Sequence, residues 1–406
     1  MHRNVVAVAL TSMITGFAGS LFWTVFNLYL WDLNYTLLEI SILNIIPTFL
    51  SLVSSRFFGR WADVSGRKKF IVVGTSILSL AYFLFFLIIE TGIANYAYFI
   101  LLFGMLGLAG SISSGALFAV TTTMMERRRS GTSFGAYLSV SAVGWTLGSF
   151  LSGYLADLYG MAFISLITAI MDILGAAIFG FIFVEETKQR SFSLREIFRD
   201  SWRLSVAGDV RALTLVYSIT AIFALGSSIY NLAFSIKIYV LFGSKTAFGF
   251  IMGLAGVSNI VSPYIAGRIA DRTSKEKLLL EGILARDLYM AYLAVAWDKI
   301  ATIVFMIIPF WVFIHVPTVS ATTDYSARGH ESEIQSLRSI VANLSNMVGT
   351  LISGIVARMF DVRHNIAAID IVLIIGTAVY FMALIPAAKL YKQRKPHLRM
   401  ALYPQP

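Results

Sequence analysis

Four ionisable side chains stand in the middle of long apolar runs: Asp172, the adjacent pair Arg286 and Asp287, and His315. A charge at the centre of a membrane helix costs about 2.5–3.5 kcal/mol on insertion scales, against about −0.3 to −0.6 for each Leu, Ile, Phe or Val. Such groups persist where they face protein or water, and by default they mark ion or proton pathways. In the run 278–296 the aliphatic residues contribute roughly −4 kcal/mol against roughly +6 for Arg286 and Asp287. That run would insert poorly alone. Neighbouring helical residues point about 100° apart, so the pair does not neutralise itself well. Imidazole changes charge near neutral pH, which makes His315 a candidate proton carrier; a hydrogen-bonded neutral histidine is the bland alternative. For Asp172, Arg286 and Asp287 the competing account is structural pairing with neighbouring helices.

A second chemical feature is written twice. Gly59-Arg60-Trp61-Ala62-Asp63-Val64-Ser65-Gly66-Arg67-Lys68-Lys69 returns as Gly267-Arg268-Ile269-Ala270-Asp271-Arg272-Thr273-Ser274-Lys275-Glu276-Lys277, and each copy joins two apolar segments. Gly59, having no side chain, would let its helix approach a neighbour closely. Asp63, at a helix end, would accept hydrogen bonds from the free N–H groups that start another helix, favoured by that helix's dipole. Arg67, Lys68 and Lys69 are explained equally well as anchors to an anionic membrane face.

The elements that must position these residues follow from composition. The 406-residue chain is 57% hydrophobic and 13% charged, about half the charge of an ordinary soluble domain. Segments of roughly 20 apolar residues cross a bilayer, and the sequence predicts twelve spans near 4–30, 37–57, 70–89, 96–124, 131–155, 161–184, 212–240, 246–266, 278–296, 300–323, 333–357 and 365–388. The fold class is an all-α integral membrane bundle. With both termini cytoplasmic, the outer side carries Lys237, Lys245, Lys299, Arg358 and Arg363. All other Lys and Arg lie on the inner side except Arg286, as the positive-inside rule requires. The net charge of +10 therefore speaks for anionic lipid and not for nucleic acid. With no cysteine, disulfides, thiolate metal sites and cysteine nucleophiles are excluded; no cofactor or metal is expected.

Residues 1–184 read as one six-helix bundle, 212–390 as a second, 391–406 as a basic tail, and 185–211 as a cytoplasmic linker. In the linker, Leu194, Ile197, Phe198 and Trp202 share a face while Arg195, Arg199 and Arg203 recur every fourth residue, the pattern of a helix lying on the inner leaflet. The duplication extends into the spans. Gly148-Ser-Phe-Leu-Ser-Gly153 in span 5 pairs with Gly349-Thr-Leu-Ile-Ser-Gly354 in span 11. Ser20, Thr24 and Asn27 in span 1 pair with Ser227, Asn231 and Ser235 in span 7.

On the hairpin Gly59, Asp63, Gly66, Arg67 and Lys68, with its partial echo at Gly267, Asp271 and Arg272, the chain resembles the major facilitator superfamily over essentially its whole length. The resemblance implies two pseudo-symmetric six-helix bundles that rock about a midplane site. It makes Asp63 a contact for the start of span 11 and gives Arg67 a part in closing the inner gate; by the repeat, Asp271 would meet span 5. It implies a cavity lined by spans 1, 4, 7 and 10. Thr24, Asn27, Ser111, Ser114, Asn231, Trp311, His315 and Thr318 are the candidates there, with Trp145, Asn343 and Asn346 flanking. For each Ser or Thr, helix packing is the competing explanation.

The function implied is secondary active transport of a small organic solute across the plasma membrane by a monomer. Proton coupling is the default and export of an amphipathic or drug-like compound the preferred direction. Uptake of a sugar or other metabolite, or uniport, is the alternative; a non-transporting receptor is the remote one. The acid in span 1, arginine in span 4 and Gly-Pro in span 5 that mark many proton-coupled drug exporters of the family are absent. No Walker-type phosphate loop or hydrolase motif is present, so the chain is not expected to be an enzyme.

Overall fold

The computed structural model describes residues 2–93, 95–124, 130–185, 208–326 and 331–402. Arg127–Arg129 and most of the 185–211 linker fall outside them.

Among the described residues, ten helices or helical stretches are long and apolar enough to cross a membrane. One of these, 139–182, is 44 residues long. At 1.5 Å per residue it is about twice the thickness of a bilayer core. It holds spans 5 and 6, which reverse at Gly160, where φ is +77° and ψ 176°. That left-handed φ favours a residue without Cβ. The remaining crossing is span 9, Lys275–Val295, which is not apolar enough to count among the ten. It is the run carrying Arg286 and Asp287.

The other helices are span 1 (His2–Asp32), span 2 (Leu37–Ser65), span 3 (Arg67–Glu90), span 4 (Tyr96–Met124), span 7 (Val210–Phe242) and span 8 (Lys245–Arg272). Span 11 is Glu331–Met359, and span 12 is built from Ile369–Met382 and Leu384–Leu402. Helix starts carry side-chain caps. Thr36 and Glu39 form a capping box on span 2, and Asp209, Ser244 and Ser274 cap spans 7, 8 and 9. These satisfy N–H groups that lipid could not.

Span 10 differs from the continuous helix expected over 300–323. It comes in two pieces, Lys299–Ile307 and Val312–Tyr325. Pro309 has no N–H to donate and biases Ile308 away from the helical region; Ile308 has ψ 118°. The Trp311 indole donates to Asn259 Oδ1 of span 8 at 2.8 Å, tying down the chain beside the break.

Two cores fill the end of the bundle away from both termini, here the distal end. In the first half, Phe22, Phe26, Phe85, Phe99 and Phe103 are fully buried and in ring contact, from a 4.4 Å stack of Phe22 on Phe26 outward. In the second half the distal core adds an ion pair to its buried hydrophobics. Lys237, 2% exposed, pairs with Asp370 at 2.7 Å and donates to the Leu293 and Ala294 carbonyls. Trp297 donates to the other Asp370 oxygen at 3.1 Å. Lys237, counted in the sequence only as an outer-side charge, is thus a clamp joining spans 7, 9 and 12.

Candidate functional site

The halves meet at the distal end. Asp32 receives Lys245 at 2.6 Å and the Tyr239 hydroxyl at 3.1 Å. Asp157 accepts from the N–H and hydroxyl of Thr246 at 2.9 and 2.6 Å. Arg363 donates to the Trp31 carbonyl at 2.8 Å and to Asn34, and lies 4.2 Å over the Trp31 ring. Below these polar ties, span 8 presents Gly249, Gly253 and Gly256 on one face. A Cβ at Gly249 would lie 2.8 Å from Gly153 N, and one at Gly256 2.9 Å from Thr146 Cα. Spans 5 and 8 are therefore pressed together from the distal end to mid-helix, as small residues allow. Spans 2 and 11 meet likewise at Gly354, whose Cβ would come 2.8 Å from Leu38 Cα.

Toward the termini, the proximal end, the hairpins are fastened within their own halves. Glu185 at the end of span 6 accepts from Lys68 N at 2.8 Å. Gly66 turns the chain at φ +105°. In the second copy, Ser274 caps span 9 with φ −72°, Lys275 pairs with Asp324 at 2.5 Å, and Tyr325 donates to buried Glu276 at 2.6 Å. The replacement of Gly66-Arg67 by Ser274-Lys275 is thus a change from a glycine turn to a capped one. The close approach expected at Gly59 is not made in this arrangement, since a Cβ there would meet nothing within 4 Å. Asp63 and Asp271 lie on described helices, but their side chains, like that of Ser114, fall outside the described set. Gly267 is buried and Arg272 exposed.

A cavity of about 250 Å³ runs from mid-helix toward the proximal end of the second half. Its lining includes Phe223, Ser227, His315, Thr318, Arg338 and Asn346. A second, of about 200 Å³, lies at the break in span 10 and is lined by Trp145, Met252, Asn259, Arg286, Phe310 and Trp311 among others. The two adjoin: Arg286 stacks 4.6 Å from the Phe223 ring, and Trp311 and His315 rings are 5.7 Å apart. Trp145 brings the first half to the second cavity.

Trp145, Trp311, His315, Thr318 and Asn346 are thus gathered at these cavities, and Arg286 with them, reaching in from span 9 where span 10 is broken. Its Nη2 donates to the Tyr380 hydroxyl at 2.7 Å, while Nη1 has no hydrogen-bond partner.

The other candidates lie elsewhere. Thr24 contacts Ser149 at 3.3 Å, Asn27 accepts from Asn44 at 3.0 Å, and Ser111 bonds Ser54 at 2.7 Å; all three serve helix packing within the first half. Asn231 is exposed and donates to Ser227. Asn343 is half-buried and lines neither cavity. Asp172 is 3% exposed and away from both cavities. Asp287 is fully buried with neither carboxylate oxygen hydrogen-bonded.

One lining residue was missed by sequence reasoning. Arg338, counted only among the charges of the inner side, lines the larger cavity from span 11. The signal was present, because Gln335, Arg338, Ala342 and Asn346 recur at the spacing of one helix face.

The description Major Facilitator Superfamily matches residues 8–328 and 216–402. The chain belongs to that family. It is accordingly a multi-pass membrane transporter and not an enzyme. Among relatives, Multidrug resistance protein MdtG of Salmonella heidelberg (strain SL476) is 27% identical over 383 residues, 89% of this chain and 90% of that one. The Salmonella typhi protein of the same name is 28% identical over 317 residues, 73% and 74% of the two chains. Among solved structures, the transporter's fold is similar to that of a mutant of the nucleoside transporter NupG, with TM-score 0.75 at 12% identity over 95% of this chain and 99% of that one. A bacterial homolog to the human lysosomal transporter Spinster, in an inward-facing and occupied conformation, gives TM-score 0.73 at 11% identity, covering 95% and 96%. At these identities the structures establish fold alone.

Proposed function

We propose that this transporter exports an amphipathic small organic solute across the cytoplasmic membrane by alternating access. In this reading both termini are cytoplasmic, a monomer suffices, and the units 1–184 and 212–390 rock against each other. The observation that carries it is the asymmetry of closure. The distal ends are sealed by Asp32–Lys245, Asp157–Thr246 and Arg363–Trp31, while the adjoining cavity extends from mid-helix to the proximal side. Distal is then the outer face, and the molecule is poised to take its load from the cytoplasm. The MdtG relatives, named for multidrug resistance, support export. Asp63 and Asp271 are read as contacts of the opposite, proximally closed arrangement, where Gly59 would make its close approach.

Proton coupling is the default energy source, and Asp172, Asp287 and His315 are the groups to test. The experiment is dye efflux from proteoliposomes under an imposed pH gradient, with Asp172→Asn, Asp287→Asn and His315→Gln beside the parent. Gradient-driven flux that one variant uncouples supports the reading. Flux indifferent to the gradient would favour uniport, and binding without flux would favour a receptor.

A further inference from the structure

Among their described lining residues, the adjoining cavities hold two guanidinium groups and no carboxylate. Arg338 is the more accessible. Its Nε donates to Gln335 Oε1 at 2.9 Å, and Gln335 is itself fixed by donating to the Val319 carbonyl at 2.8 Å and the Thr323 hydroxyl at 3.1 Å. A neutral amide thus aims the guanidinium without neutralising it. No described ion pair or further hydrogen bond engages its Nη groups, and the side chain is half-buried against the larger cavity. Deeper in, Arg286 is 7% exposed and stacked between Phe223 and Tyr380 at 4.6 and 4.3 Å. Its Nη1 is buried without a hydrogen-bond partner, and the side chain lines the smaller cavity. Asp287, next in sequence, pairs with neither arginine.

An unpaired charge away from bulk water is costly unless a partner arrives. A guanidinium held by one nitrogen presents the remaining fork to a planar or tetrahedral anion, which it binds bidentately. The surfaces around it are apolar and aromatic: Phe223, Ile314, Trp311, Phe310 and Trp145. We propose that the transported solute is an organic anion, a carboxylate, sulfonate or phosphonate on an apolar or aromatic body, and that Arg338 receives its anionic group. This rests on the export reading above and names the substrate class of the same cavity. Arg286 adds to the positive field and excludes cationic drugs from the deeper pocket. Serving as a membrane-face anchor would leave Arg338 pointing to water or lipid headgroups, and an inner-gate role would make it matter equally for every solute.

The test uses purified full-length protein and four probes sharing one ring system: 2-naphthoate, 2-naphthalenesulfonate, 2-naphthol and (2-naphthyl)trimethylammonium. Thermal stabilisation reads binding, and counterflow in proteoliposomes reads transport of the charged probes. The parent is expected to bind both anions at least tenfold more tightly than the cation. Arg338→Gln is expected to weaken the anions at least tenfold and 2-naphthol less than twofold, while Arg338→Lys restores part of the loss. If Arg338→Gln fails to fold, Gln335→Leu, which frees the guanidinium from its amide, is expected to weaken the anions selectively. Preference for the cation, no binding of either anion, or a loss in Arg338→Gln equal for all probes overturns the proposal. Anion binding that depends on Arg338 without counterflow supports the site and sinks the export reading instead.

Discussion

Gly148 and Gly349 open equivalent six-residue runs, and each presses against the first helix of its own half. A Cβ at Gly148 would meet Phe17 and Ser20 of span 1, and one at Gly349 would meet Leu225 and Ser228 of span 7. Five residues later, Gly153 and Gly354 face across instead, to Lys245 and Thr246 of span 8 and to Leu38 and Ser41 of span 2. One repeated run therefore builds each half with its first glycine and joins the halves with its last. The cores behind these glycines have diverged. The first half keeps an aromatic cluster around Phe22 and Phe26; the second holds Lys237–Asp370 and Arg286–Tyr380. Backbone approach is shared by the halves because the bundle demands it. Buried cations appear in only one of them among the described residues, and one of these, Arg286, lines the smaller cavity.

The sharpest way to break this comparison is at the ionic core. Removing one member of a buried pair costs about 3–5 kcal/mol, and Asp370 keeps 22% exposure, which places Lys237→Met at the low end, about 3 kcal/mol. Lys237→Met combined with Asp370→Leu is expected to recover most of that loss. Thermal unfolding in detergent measures both; equal losses in the single and double variants would mean that Lys237 acts through its carbonyl contacts and not through its ion pair.

Next in size are the glycines. Overpacking costs about 1–3 kcal/mol, occasionally more, so Gly148→Val and Gly349→Val are expected to lower the melting temperature. Gly153→Val and Gly354→Val, which intrude on a movable interface, are expected to spare stability and favour the distally open state. Accessibility of a cysteine introduced at Ser41 to a membrane-impermeant reagent reads that shift. Uniform destabilisation across all four would erase the distinction between the two glycine roles.

The smallest effects separate the hairpin copies. Ser274→Ala removes a helix cap, worth about 1 kcal/mol. Gly66→Ala forces a Cβ onto φ +105°, a strain of about 1–3 kcal/mol. Gly66→Ser is expected to be no better than Gly66→Ala, since the capping geometry of the second copy belongs to a different backbone. A stabilising Gly66→Ser would show that the two turns are interchangeable.

How much of this was legible in the sequence depends on the kind of force involved. Spans are a one-dimensional signal, because lipid requires each helix to satisfy its own backbone. Even the weak span 9 could be recognised from Arg286 and Asp287. The hairpin and the Gly148 and Gly349 runs were legible because duplication wrote them twice. The roles of Arg338 and Lys237 went unread for one reason: a basic residue within two turns of a helix end reads alike whether it snorkels to water, clamps a carboxylate or lines a cavity. Only packing tells these apart. Thr24 and Asn27 in span 1 and Ser111 in span 4 were polar positions that the sequence could not divide between water and neighbouring helices, and the neighbours took all three.

That one half tips against the other is the central claim, and distances across both ends test it most directly. The chain has no cysteine, so spin labels can be placed in pairs without background. Leu33→Cys with Phe360→Cys spans the distal end, and Lys69→Cys with Thr273→Cys spans the proximal hairpins. During turnover in lipid nanodiscs, pulsed electron–electron resonance is predicted to show the distal distance lengthening as the proximal one shortens. Two distances that change together, or that both stay fixed while solute is transported, would contradict the account.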